Sequence, residues 1–97
     1  MDIVLIHGAC HGAWAWDFVK PQFKKLGYNI HTPTLTGMGE KVDLLSPAVT
    51  ALTHVNDIVE YVEKGDLENV ILIGHSYAGG PMTHAHSLLE NKVRQLI

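Results

Sequence analysis

Two short runs of uninterrupted apolar residues dominate the pattern of this chain: Ile3-Val4-Leu5-Ile6 and Val70-Ile71-Leu72-Ile73. Neither alternates with polar residues, so each predicts a strand buried on both faces, as in a parallel sheet covered by helices. A third strand is expected over residues 28–34. A fourth is expected over residues 93–97, beginning at Val93 and reaching Ile97. Helical spacing fills the intervals. Val19, Phe23 and Leu26 lie at i, i+4 and i+7, with Asp17 as N-cap, Pro21 near the first turn and Gly27 as the stop. Leu52, Val55, Val59 and Val62 lie at i, i+3, i+7 and i+10, and Gly65 ends that helix. A third helix is expected from Tyr77 to Glu90. Residues 36–47 hold Gly37, Gly39, Ser46 and Pro47 and read as a loop. The order β-α-β-loop-α-β-α-β predicts an α/β fold, a doubly wound parallel sheet with right-handed crossovers.

Composition narrows the class. A chain of 97 residues supports one domain at most, here 1–97. With 46% hydrophobic and 18% charged residues the profile is globular. The formal net charge of −3 and the lack of a basic run offer no field for nucleic acid or an anionic membrane. Cys10 is the sole cysteine, so no intrachain disulfide forms. Asp2 stands where a signal peptide would be basic, and the first apolar run is too short for a signal core or a membrane span. A cytoplasmic location is the default expectation.

The candidate chemistry is at residues 73–80, Ile-Gly-His-Ser-Tyr-Ala-Gly-Gly. A buried strand runs into small-x-Ser-x-small, and a helix follows. A serine displayed at a strand end needs a tight turn with strained backbone at the serine. Side chains two positions to either side would collide, so those sites must be small, as Gly74 and Ala78 are. The N–H after such a serine faces a developing oxyanion at the positive end of a helix. The alternatives are a phosphate loop or an ordinary βα turn. A dinucleotide fingerprint is absent, and no Walker lysine follows. The first strand also ends in a glycine-containing turn, His7-Gly8-Ala9-Cys10-His11-Gly12, which allows backbone N–H groups to approach a ligand.

With VLIHGACHGAWAW, LGYNIHTPTLTGMGE and VILIGHSYAGG in this order, the sequence resembles the α/β-hydrolase superfamily. It is most similar to the small esterase branch that includes plant methylesterases, hydroxynitrile lyases and many bacterial hydrolases. The resemblance implies an incomplete α/β-hydrolase fold: the first strands and helices through the nucleophile turn. It implies Ser76 as the nucleophile and the backbone N–H groups of Ala9 and Tyr77 as the oxyanion hole, with Gly74 and Ala78 as the small residues and His7 and Gly8 in the supporting turn. The expected substrate is a small-molecule ester, cleaved through an acyl-serine, with no cofactor. Hydroxynitrile lyases of this type tend to carry a hydroxyl residue at the Gly8 position, so glycine points to the esterase side. Ala78 departs from the more usual glycine, and Pro81 removes one donor from the helix after the serine.

A serine nucleophile needs a histidine base and an orienting acid, which the fold supplies after the serine. Only 21 residues follow Ser76, and Glu90 is their only carboxylate. The chain is therefore expected to lack a triad and to be a gene fragment, a truncated product or an incomplete assembly. An inactive remnant that persists as a folded or oligomerising piece is the alternative. His7 is expected to be a hydrogen-bonded turn residue and His75 to leave the turn in another direction. His7, Cys10 and His11 do not make a metal site, and His84 and His86 face different sides of a helix. His54 and Asp57, one turn apart, are expected to be a solvated surface pair. Trp14 and Trp16 either contact substrate or pack. The strand over residues 93–97 is expected to be an open apolar edge through which copies associate.

Overall fold

The computed structural model describes residues 1–89 and 91–97. Four parallel strands form one sheet in the order β2-β1-β3-β4. They are β1 (Asp2–Ile6), β2 (Asn29–His31), β3 (Val70–Gly74) and β4 (Val93–Leu96). Three helices alternate with them: α1 (Lys20–Lys25), α2 (Ala51–Lys64) and α3 (Gly79–Leu88). Among the described residues no helix is long and apolar enough to cross a membrane.

The two apolar runs take the central places because both of their faces are covered. In β1, Val4 and Ile6 join Val55, Ile58, Val62, Leu72, Met82 and Ala85 in the core against α2 and α3. Ile3 and Leu5 alternate to the opposite face and are buried as well. Leu5 pairs with Ile73, and Ile6 with Gly74, so β1 and β3 end side by side. This register brings the two turns of interest to one edge of the sheet.

Several boundaries depart from the expected ones. β2 stops at His31 rather than running to Thr34. Pro33 has no N–H for a ladder. Beyond it the polar groups of Thr34, Leu35 and Thr36 bond to the first turn, to Glu40 and to α2. Asp17 is not a helix N-cap. A 3-10 turn at Ala13–Trp16 comes first and the Asp17 N–H closes it onto Trp14 O, so α1 begins later, with Pro21 in its first turn. Gly27 does end this region, at φ +90°. Residues 36–47 are not wholly irregular, since Gly39–Leu44 winds into 3-10 turns with a kink at Lys41. α2 is capped by Thr50, which exchanges hydrogen bonds with Thr53 in a reciprocal box. The third helix is split: a 3-10 turn at Ser76–Ala78 precedes α3, which ends at Leu88. Glu90, its expected end, lies outside the described residues. β4 ends at Leu96, one residue short of Ile97.

Candidate active site

Ser76 stands between the end of β3 and the start of α3 with φ +55°, a left-handed backbone that only a few per cent of non-glycine residues adopt. Its neighbours hold it there. The His75 N–H bonds to Ile6 O at 3.1 Å, tying the turn to the end of β1, and the Ala78 N–H returns to His75 O at 3.1 Å. The Gly79 N–H bonds to Ser76 O. A Cβ built on Gly74 would lie 3.2 Å from Ala78 Cβ and 2.8 Å from Met82 Sδ. The expected crowding two residues to either side of the serine is therefore a measurable contact. Pro81 is buried within the first turn of α3, where a missing N–H is tolerated.

The β1 turn lies directly against this one. A Cβ on Gly8 would sit 3.5 Å from Ser76 Cβ and 3.2 Å from His75 O. Gly8 O accepts from His7 Nδ1 at 2.8 Å and from the His11 N–H at 3.3 Å. Both bonds orient the Gly8–Ala9 peptide, whose other end is the Ala9 N–H. Neither the Ala9 N–H nor the Tyr77 N–H has an acceptor among the described residues. Ser76 itself is exposed, and its hydroxyl makes no hydrogen bond to any described residue.

His7 is fully buried, and both its nitrogens are engaged. Gly8 O can only accept, so Nδ1 carries the hydrogen, while Nε2 accepts from the Leu35 N–H at 3.0 Å. Burial holds its pKa below the ordinary histidine value. His7 is thus a turn-fixing residue with no free nitrogen to serve as a base. His75 is exposed. With His7, His11, Trp14, Ala15, Trp16 and Val19 it lines a cavity of about 330 Å³ beside the serine turn. Trp14 and Trp16 face this cavity, and Trp14 packs 5.4 Å from the His11 ring. A larger groove of about 470 Å³, at His31, Asp57, Glu60 and Tyr61, includes none of the residues around Ser76. Among the described residues no cluster of three or more His, Cys, Asp or Glu could hold a metal ion.

His54 and Asp57 are not a solvated pair. His54 is 5% exposed. Its Nε2 donates to Thr36 O at 2.9 Å, and its Nδ1 accepts from the Tyr77 hydroxyl at 2.8 Å. Asp57 accepts from the Thr36 N–H at 2.7 Å and from its hydroxyl at 2.9 Å. One turn of α2 therefore grips the loop after β2 and the phenol of the residue that follows Ser76. Burial raises the Tyr77 pKa. Thr34 ties the same loop to the first turn: its Oγ1 accepts from the Ala13 N–H at 3.1 Å and donates to Glu40 at 2.6 Å. That bond holds the Glu40 carboxyl below its ordinary pKa.

Parallel strands ending in a strained serine turn beside a glycine turn define a class, and the whole chain bears it out. Residues 3–95 match the model of the alpha/beta hydrolase family, and the chain belongs to that family. It is 38% identical over 96 residues to a carbendazim-hydrolysing esterase of Nocardioides sp., covering 99% of this chain and 40% of the relative. It is 32% identical over 91 residues to methylesterase 9 of Arabidopsis thaliana, covering 93% of this chain and 36% of the relative. Among solved structures, an extracellular alpha/beta-hydrolase from a Paenibacillus species superposes with a TM-score of 0.90 at 28% identity, over 99% of this chain and 38% of that one. The chain thus spans about two fifths of the length of these relatives. These relatives include esterases.

Proposed function

We propose that these residues carry the nucleophile and the oxyanion donors of a carboxylic-ester hydrolase. The observation behind this reading is the left-handed backbone of Ser76, which displays an exposed hydroxyl against the Gly8 turn. Two N–H groups without acceptors among the described residues, from Ala9 and Tyr77, belong to the two turns. In the reaction Ser76 Oγ attacks the ester carbonyl and gives up its proton to a base. The carbonyl oxygen becomes an oxyanion, and the two N–H groups donate to it. Collapse breaks the bond to the alkoxy oxygen, which leaves as the alcohol after taking a proton, and water then cleaves the acyl-serine. Gly8 offers no hydroxyl beside Ser76 to bind the hydroxyl of a cyanohydrin, which favours ester hydrolysis over cyanohydrin cleavage.

Among the described residues no histidine or carboxylate bonds to Ser76, and His7 has no free nitrogen. The 97 residues alone are therefore expected to hydrolyse p-nitrophenyl acetate no faster than their Ser76→Ala variant. Joined to the C-terminal part of the Nocardioides esterase, they are expected to hydrolyse it in a Ser76-dependent way. A folded chimera whose rate is indifferent to Ser76→Ala would overturn the assignment of the nucleophile. A Ser76-dependent rate in the 97 residues alone would overturn their need for an external base.

A further inference from the structure

Two turns must keep a fixed spacing if the N–H groups of Ala9 and Tyr77 are to meet one oxygen, and the residues themselves are 68 positions apart in the chain. The register of β1 and β3 and the bond from His75 N–H to Ile6 O fix the strand ends from which both turns start. A path of side-chain hydrogen bonds, running through the Leu35–Thr36 backbone, joins the two turns by another route. From Tyr77, the phenol donates to His54 Nδ1, and His54 Nε2 donates to Thr36 O. From the same loop, the Leu35 N–H donates to His7 Nε2, and His7 Nδ1 donates to Gly8 O, in the peptide that carries the Ala9 N–H. Asp57 secures the middle of the path by taking both the N–H and the hydroxyl of Thr36.

We propose that His54 is a positioning residue for the oxyanion site: through Tyr77 on one side and Thr36 on the other, it couples the serine turn to the Gly8–Ala9 turn. This rests on the reading of Ser76, Ala9 and Tyr77 given above. The chemistry of the ring fits the task. Thr36 O has no hydrogen to give, so Nε2 must carry one; in the neutral ring Nδ1 is then the acceptor for the Tyr77 hydroxyl. A single small ring thus donates one way and accepts the other. Ser76 needs such support, since a left-handed serine relaxes unless its surroundings over-determine it. The 3-10 turn restrains the Tyr77 backbone through the Ala78 and Gly79 N–H bonds, while its own N–H has no acceptor among the described residues and its phenol is anchored 2.8 Å from a buried ring.

The test is amide NMR on the 97-residue chain, which needs no turnover and so stands apart from the Ser76 assay. His54→Phe keeps a ring but neither bond. It is expected to move the Tyr77 amide signal and to speed hydrogen exchange at Ala78 and Gly79, whose N–H groups close the serine turn, roughly two- to tenfold. His54→Gln can donate to Thr36 O and accept from the Tyr77 hydroxyl, and is expected to restore both readouts. Tyr77→Phe, which deletes one oxygen, is expected to reproduce the effect of His54→Phe and serves alone if that variant does not fold. Unchanged Ala78 and Gly79 exchange in a folded His54→Phe or Tyr77→Phe chain would overturn the proposal. So would a His54→Gln chain as perturbed as His54→Phe, because that result marks a packing role.

Discussion

Replacing Ser76 by glycine and by alanine tests the strained turn by the sign of a stability difference. At φ +55° a residue with a Cβ carries a cost of about 1–2 kcal/mol that glycine escapes. Glycine also loosens the unfolded chain, which takes back about 0.4–1 kcal/mol. The net expectation is that Ser76→Gly is more stable than Ser76→Ala by about 1 kcal/mol. At an ordinary strand or helix position the order is reversed, with glycine worse than alanine by about 0.5–1 kcal/mol. The serine hydroxyl hardly enters the comparison, because it is exposed and unbonded within the described protein. Ser76→Ala should therefore lie close to the parent. For a domain of this size 1 kcal/mol shifts Tm by about 4–8 °C, well within the resolution of a thermal melt followed by circular dichroism. A Ser76→Ala chain that melts at or above Ser76→Gly would refute the left-handed turn, and with it the geometry on which the proposed nucleophile depends.

Acidity and concentration give two further tests. Burial holds the folded His7 pKa below its unfolded value of 6.5, so below that pH the unfolded chain takes up a proton that the native chain refuses. Stability is fully present well above pH 6.5, begins to fall around it and keeps falling as the pH drops toward the folded pKa, by at most about 1.4 kcal/mol per unit. Glu40, whose folded carboxyl is held low by Thr34, adds to the loss further down, below 4.5. Urea midpoints at pH 7.5, 6.5 and 5.5 should decline in that order, and a flat series would contradict a neutral, buried His7. Separately, β4 pairs with β3 on one side only. Light scattering should show dimers or larger species, and a clean monomer at high concentration would count against pairing at this edge.

How much of this was open to a reader of the sequence depends on where each residue finds its partners. β1 and β3 could be placed because a strand covered on both faces is apolar throughout, and Gly74 and Ala78 because crowding around Ser76 is local to five residues. The end of β2 was harder: residues 32–34 look extended until the partners of Thr34, Leu35 and Thr36, 21 to 28 residues away at Ala13, His7 and Asp57, are in place. Pro33 was the one local sign that the ladder stops there.

α2 shows how a small error of phase can hide a site. The stripe Leu52, Val55, Val59 and Val62 predicts a buried face that leaves His54 in water. In the fold Leu52 is 56% exposed, and the buried set is His54, Val55, Ile58 and Val62. Those residues follow i, i+1, i+4 and i+8, an equally regular helical stripe that includes a histidine and is therefore passed over. Yet accepting it forces a conclusion. A buried imidazole needs partners for both nitrogens, and the sheet beneath this helix is apolar, so those partners must come from a loop or from another helix's polar tip. Asp57, three residues on, then reads as a second anchor for the same loop rather than as a surface charge. The residue following the serine is a tyrosine, whose phenol is a polar group able to reach a buried helix face while its backbone stays in the turn. The serine turn is legible by itself; what holds it becomes legible once a polar residue on an apolar stripe is treated as a demand for partners.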